Sequence, residues 1–257
     1  MSLLEAIAIG LAGLAAGTIN TVVGSGTLIT FPTLLAFGVP PVTANVSNTI
    51  GLVPGSVSGV VGYRRELTGQ RSRVLRIGVA SLLGGVLGAV LLLVLPEGAF
   101  SAIVPVLVGL GILLVVFQPR ITAWVEARHD RPGMPARDPV VGARWVWPAV
   151  LGAGVYGGYF GAAQGVLLMG VMGVGIPETL QRLNALKNVL AAIVNAVAGL
   201  LFAVVADVDW RIVALIGVGS VIGGQVGATV GRRLPSPVLR GTIVVVGIVA
   251  LAVFLLG

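Results

Sequence analysis

Hydrophobic residues run along this chain in long blocks, separated by short clusters of glycine, proline and charge. Five apolar blocks fill the first half, at about residues 3–23, 26–37, 44–63, 74–95 and 99–117. Five more follow at about 146–162, 165–176, 182–206, 211–231 and 237–256. Most approach the ~20 residues that a helix needs to cross about 30 Å of hydrocarbon. Residues 118–145 are polar and carry Pro119, Pro132, Gly133, Pro135 and Pro139, so they read as a linker. The pattern predicts an all-α polytopic membrane protein with a first transmembrane repeat over 1–117, a cytoplasmic linker over 118–145 and a second transmembrane repeat over 146–257.

The halves resemble each other in residues as well as in plan. At a single ungapped offset of 139 residues, Ser81, Gly84, Gly85, Gly88, Ala89, Leu95 and Pro96 fall on Ser220, Gly223, Gly224, Gly227, Ala228, Leu234 and Pro235. The same offset places Gly13 on Gly152, Gly26 on Gly165 and Asn45 on Asn184. Seven identities within sixteen positions exceed what a glycine-rich composition explains.

Charge orients the repeats. The loop after the third block holds Arg64, Arg65, Arg71, Arg73 and Arg76 against Glu66, whereas its counterpart holds Asp207, Asp209 and Arg211. The loop after the fourth block holds Glu97 alone, and its counterpart brings Arg232, Arg233 and Arg240. Cytoplasmic loops are enriched in Lys and Arg, so equivalent loops are expected on opposite sides, with the linker inside and both termini outside. That is the arrangement of inverted-topology repeats in secondary transporters.

Composition fits this class: 56% of the 257 residues are hydrophobic and 10% charged, with a mean hydropathy of +1.06. The net charge of +7 is spread over loops rather than gathered in one patch, which argues against a nucleic-acid partner and for a lipid bilayer. The absence of cysteine removes disulfides, thiolate metal sites and cysteine nucleophiles. Residues 3–22 do not read as a secretory signal, because Glu5 and no Lys or Arg flanks them. Trp145, Trp147 and Trp210 suit interfacial anchors, as does Arg182.

The second block of each half is too short to cross alone, about 12 residues or roughly 18 Å as helix. Each half therefore reads as a re-entrant or broken-helix hairpin followed by three transmembrane helices. Gly24-Ser25-Gly26 and Ala163-Gln164-Gly165 mark the hairpin turns. Non-helical backbone at membrane depth is tolerated where it is buried in protein or lines a wet cavity. Short helices leaving those turns would aim their N-terminal amides at a small anion near the midplane. The other reading of Gly24 and Gly26 is close helix packing.

Asn20, Ser25 and Thr27 flank the first turn. Asn45, Ser47, Asn48 and Thr49 open the third block, and Asn184, Lys187 and Asn188 open its counterpart. Residues three or four apart share a helix face, so both sets can present strips of donors. Interhelical hydrogen bonding accounts for some such residues, Asn195 among them. Lys187 lies among apolar residues and requires a partner or a path to the surface. The candidate substrate-binding set is Asn20, Gly24, Ser25, Gly26, Thr27, Asn45, Asn48, Thr49, Gln164, Gly165, Asn184, Lys187 and Asn188. Glu5, Glu97, Glu178, Asp207 and Asp209 stand at block ends, so no buried carboxylate relay is visible. No metal-ligand spacing, phosphate loop or nucleophile-base pair points to a cofactor or an enzyme.

The stretches "GTINTVVGSGTLITFPTLLAFGVPPVTANVSNTIGLVPGSVSGVVGY" and "ALKNVLAAIVNAVAGLLFAV" resemble the TauE/SafE family of membrane permeases, proposed exporters of sulfite, sulfoacetate and related organosulfur anions. Family members often show a Gly-rich turn, a "P-x-L-L-x-x-G" run and an "A-x-x-T-S/N" element in each half. The first half keeps Gly24, Gly26, Pro32, Leu34, Leu35, Gly38, Ala44 and Asn48-Thr49. The second half departs from it, with Ala163-Gln164-Gly165 at the turn, Val171 near the proline position and Lys187-Asn188 in the Thr-Ser place. The resemblance implies a multi-pass transporter in the cell membrane that exports a small anion. An uptake permease or facilitator for a small organic acid, and a non-transporting scaffold, stand as alternatives. A homo-oligomer is compatible with the chain.

Overall fold

The computed structural model describes residues 1–129, 142–230, 241, 243–246 and 248. Nine helices occupy most of the described residues: α1 (Leu3–Val22), α2 (Thr27–Ala36), α3 (Pro41–Gly62), α4 (Arg71–Val94), α5 (Glu97–His129), α6 (Val146–Tyr159), α7 (Gln164–Gly175), α8 (Leu180–Val205) and α9 (Trp210–Thr229). Five stretches, Leu3–Val22, Arg71–Val94, Gly98–Trp124, Leu180–Val205 and Trp210–Thr229, are long and apolar enough to cross a bilayer. The protein is an all-α membrane protein of multiple spans, as the hydrophobic pattern predicts.

Helix ends follow from local chemistry. At α1, Ser2 and Glu5 form a reciprocal capping box, with Glu5 N–H donating to Ser2 Oγ at 3.2 Å and Ser2 N–H to Glu5 Oε2 at 2.9 Å. At α9, Asp209 Oδ1 accepts from the backbone N–H groups of Arg211 and Ile212. Pro41 opens α3, where its missing N–H has no helical partner to lose. α5 departs from expectation: it runs through Pro119 to His129, so the start of the expected linker is helical. A single proline removes one backbone bond and is tolerated within helices of membrane proteins. The remaining linker prolines, Arg232, Arg233 and Arg240, and most of the block at 237–256 lie outside the described residues.

The two halves exchange their closest partners. α1 packs most extensively on α9, and α6 packs on α4. Those two pairs are equivalent at the 139-residue offset, and the repeated glycines form both seams. A Cβ on Gly223 or Gly227 would overlap the backbone of α1 near Leu14 or Thr18. One on Gly84 or Gly88 would overlap the backbone of α6 near Leu151 or Val155. Small residues let helix backbones approach closely where hydrocarbon supplies no other drive to associate. The shared "G-G-x-x-G-A" motif is therefore one packing task performed twice.

α3 and α8, the equivalent third helices, meet in the centre and run antiparallel. Asn195 Nδ2 donates to Ser56 Oγ at 3.0 Å, and Gly199 lies against Ile50 and Val53. α3 and α9 run parallel, with Gly51 beside Ile216 and Gly55 beside Ser220. Ser220 Oγ donates to Gly51 O across that seam.

The short helices are arms of hairpins. The N–H of Ala143 donates to Gly175 O at 2.9 Å, so α7 ends where the chain leading into α6 begins. α2, at 10 residues, returns along roughly half of the 20-residue α1. Phe31 of α2, Phe100 of α5 and Phe160 beyond α6 stack edge to face, with centroids 5.0 Å apart for Phe31 and Phe160. Those rings fasten both hairpins to α5.

On one end of the molecule, charged side chains tie the α3–α4 loop to the α7–α8 loop. Glu178 accepts from Arg73 and from Arg182, each at 3.1 Å, while Arg182 donates to Thr68 O and Gln70 to Arg182 O. Burial alone would raise the Glu178 carboxyl, but the Thr179 N–H, Arg73 and Arg182 outweigh it and hold it below its ordinary range.

Candidate functional site

The two hairpin turns touch. Gly165 N–H donates to Gly24 O at 3.0 Å, and a Cβ on either glycine would overlap the other's Cα. Gly24 has φ +91, a conformation open to glycine at little steric cost. The second turn uses Gly161, φ +73, in the same way. Gly26 packs on the Ala16 carbonyl and the Asn20 side chain. At these glycines close packing is what the structure displays, and the non-helical backbone is buried in protein.

Around that contact the candidate residues sort into three groups. The first surrounds the end of α1, whose last carbonyls have no helical N–H to accept from. Lys187 Nζ donates to Asn20 O at 3.0 Å and to Thr21 O at 3.1 Å. Asn184 Nδ2 and Asn188 Nδ2 each donate to Thr21 O at 3.3 Å. The strip on α8 does share one face, and that face caps α1. Lys187 is 0% exposed, so it does not snorkel to the surface.

The second group belongs to the start of α2. Thr30 Oγ1 donates to Asn48 Oδ1, and Asn48 Nδ2 donates to Thr27 Oγ1 at 3.3 Å. The third is the end of α6, where Asn45 Nδ2 donates to Tyr159 O at 2.9 Å. Asn45 and Asn184 thus perform matching tasks, each capping the first arm of the other half's hairpin. Thr49 turns back to Asn45 O in its own helix and reaches neither hairpin.

Several buried polar atoms here have no hydrogen-bond partner: Ser25 Oγ, Gln164 Nε2, Asn45 Oδ1 and Asn184 Oδ1. Ser25 is fully buried and Gln164 is 4% exposed, its side chain lying on Gly157. Buried polar groups are hydrogen-bonded as a rule, so a cluster of exceptions at one place marks where a ligand or ordered water belongs. No group of His, Cys, Asp or Glu among the described residues could hold a metal ion.

Sequence reasoning missed Thr21, Thr30, Tyr159 and Gly161. Thr30 stands three residues from Thr27 in an otherwise apolar helix, a signal that was legible. Thr21 and Tyr159 act through backbone oxygens, which leave no trace in residue type.

Comparison with known proteins agrees with this architecture. The family described as sulfite exporter TauE/SafE matches residues 9–255. The chain is 28% identical over 245 residues to the probable membrane transporter protein ORF9 of Sinorhizobium sp, covering 94% of this chain and 88% of that protein. It is 27% identical to the probable membrane transporter protein YfcA of Escherichia coli strain K12, over 91% and 83% of the two chains. A probable membrane transporter protein of Haemophilus influenzae is 25% identical, over 88% and 87%. With a match along nearly its whole length, the chain belongs to the sulfite exporter TauE/SafE family of membrane transporters.

Proposed function

We propose that the protein exports a small anion, a sulfite or organosulfonate, through a site at the contact of its two hairpins. The observation that carries this reading is the pair of buried donors without partners, Ser25 Oγ and Gln164 Nε2, beside the first turns of α2 and α7. Helix N-termini present amides and a positive pole, and anions bind them readily. The antiparallel crossing of α3 and α8, and the exchange of partners between halves, support inverted repeats that alternately open the site to either face. On this reading the arginine-rich α3–α4 loop is cytoplasmic, both termini are outside, and the cell membrane is the residence. An inside-negative potential then favours anion exit by about 2.3 kcal/mol per charge per 100 mV, with no proton relay required.

The test is flux in proteoliposomes across a panel of sulfite, methanesulfonate, sulfate, acetate and phosphate under an imposed potential. Sulfur oxyanion flux that accelerates when the anion moves toward the positive side supports the reading. Flux no greater than in protein-free vesicles for every anion overturns it.

A further inference from the structure

Lys187 is the only lysine in the chain; the other 15 of the 16 basic residues are arginine. It is fully buried, and its ammonium is bonded to backbone oxygens at the end of α1. No carboxylate is among those partners, so among the described residues the charge is balanced by a helix C-terminus, whose pole amounts to about half an electronic charge. An ammonium carries three donors, and two are engaged here.

The equivalent position in the first half is Asn48, a neutral amide that turns to α2 instead. The α6 terminus receives a neutral amide, from Asn45. The hairpins therefore differ electrically. In α6–α7 the negative pole of the first arm and the positive pole of the second meet at one turn and largely cancel. In α1–α2 the ammonium offsets the negative pole, leaving the positive end of α2 without a matching pole in its own hairpin. Ser25 Oγ, buried and without a partner, lies on the turn leading into that end.

We infer that Lys187 is a tethered cation that neutralises the C-terminus of α1 and so confines the anion to the first hairpin, at the start of α2, acting on it through the field rather than by contact. This rests on the anion reading above and names the residue that sets preference for charge. A compact ammonium suits the task, because its three N–H groups can donate to several carbonyl oxygens around one point.

The experiment measures binding of sulfate, a dianion, and methanesulfonate, a monoanion, to purified wild type, Lys187→Gln, Lys187→Arg and the exchange Lys187→Asn with Asn188→Lys. Removing the charge should weaken sulfate more than methanesulfonate, by on the order of tenfold, the scale of one charge acting over roughly 10 Å at an effective dielectric of about 20. Lys187→Arg should keep the preference. The exchange variant should restore it, since Asn188 already reaches the same Thr21 oxygen. Equal weakening of both anions by Lys187→Gln overturns the inference and leaves Lys187 a packing residue, as does an exchange variant that behaves like Lys187→Gln. Where Lys187→Gln does not fold, the exchange variant decides alone. Wild type that binds neither anion defeats the transport reading itself, a result distinct from wild-type binding with an unchanged ratio.

Discussion

Glu178→Gln isolates the charged tie between the two halves. The carboxylate accepts from Arg73 and Arg182, each at 3.1 Å, and the side chains are 18%, 10% and 32% exposed respectively. Breaking a fully buried pair costs about 3–5 kcal/mol, and an exposed pair is worth about 0–1. Arg73 is the more buried partner and keeps Gln70 Oε1 at 2.8 Å after the substitution, so an intermediate loss of about 2 kcal/mol is expected. For a chain of this size that corresponds to a fall of about 4–8 °C in Tm. The pH dependence gives a second readout. The carboxyl is held below its ordinary range in the fold, so its contribution is present above the unfolded value near 4.3 and is lost as pH falls through the lower folded value. Thermal unfolding in detergent from pH 7 downward should show wild type losing its advantage over Glu178→Gln below about pH 4. A variant within about 1 °C of wild type at pH 7, with a parallel pH curve, refutes the tie.

Gly88→Ala should lower stability by about 1–3 kcal/mol, because its Cβ would overlap Val155 O and Tyr159 N, whereas Gly152→Ala, facing open space, should leave it unchanged or raise it by up to ~1 kcal/mol; thermal unfolding compares them. A double-mutant cycle over Ser56→Ala and Asn195→Ala should return a coupling of about 1 kcal/mol, and additive effects would show that the α3–α8 hydrogen bond adds nothing. The chain is free of cysteine, so a single cysteine at Arg65 should be shielded from an impermeant thiol reagent in intact cells while one at Asp207 reacts; labelling of both would overturn the inverted orientation.

Hydrophobic blocks placed helix boundaries within a few residues because in a membrane each span must satisfy its backbone internally, leaving few alternatives to helix. The short second blocks were equally legible: α2 and α7 are the arms that the segments at 26–37 and 165–176 predicted. α5 extends past the apolar block that ends at 117, because polarity marks where a helix leaves hydrocarbon rather than where it stops, and the single prolines Pro105 and Pro119 do not end it. The candidate residues were legible as neighbours of the hairpin turns. Twelve of the thirteen cap, line or touch those turns, with Thr49 the exception. Their partners were not legible, because Lys187, Asn184, Asn188 and Asn45 all donate to backbone carbonyls of the opposite half. Residue type announced a donor without saying which oxygen would receive it. The glycines show the same limit from the other side. Leucine at Gly26 or Gly165 would collide with Ala16 O or Gly24, so loss of transport in such variants reports packing and cannot isolate an anion site.

The halves share the glycines at which they pack and differ at several polar positions beside the turns. Gly84 and Gly88 match Gly223 and Gly227, and all four seat a helix of the opposite half. At the turns, Ser25 faces Gln164 in the offset, Thr27 faces Val166, Thr30 faces Met169 and Asn48 faces Lys187. Two seams built on the same glycines would suit the rocking frame proposed above, in which each half presents a similar surface when roles reverse. A single small ligand makes the opposite demand: it needs donors and field on one side of the contact, and a second equivalent pole facing it would divide the same charge between two places. Asn48 links Thr27 and Thr30 of α2 by hydrogen bonds, while the equivalent positions on α7 are the apolar Val166 and Met169. Gly26 and Gly165, and Asn45 and Asn184, are kept at the turns, so the difference there lies in the polar set at the start of α2, which is the difference the proposed one-hairpin anion site would use.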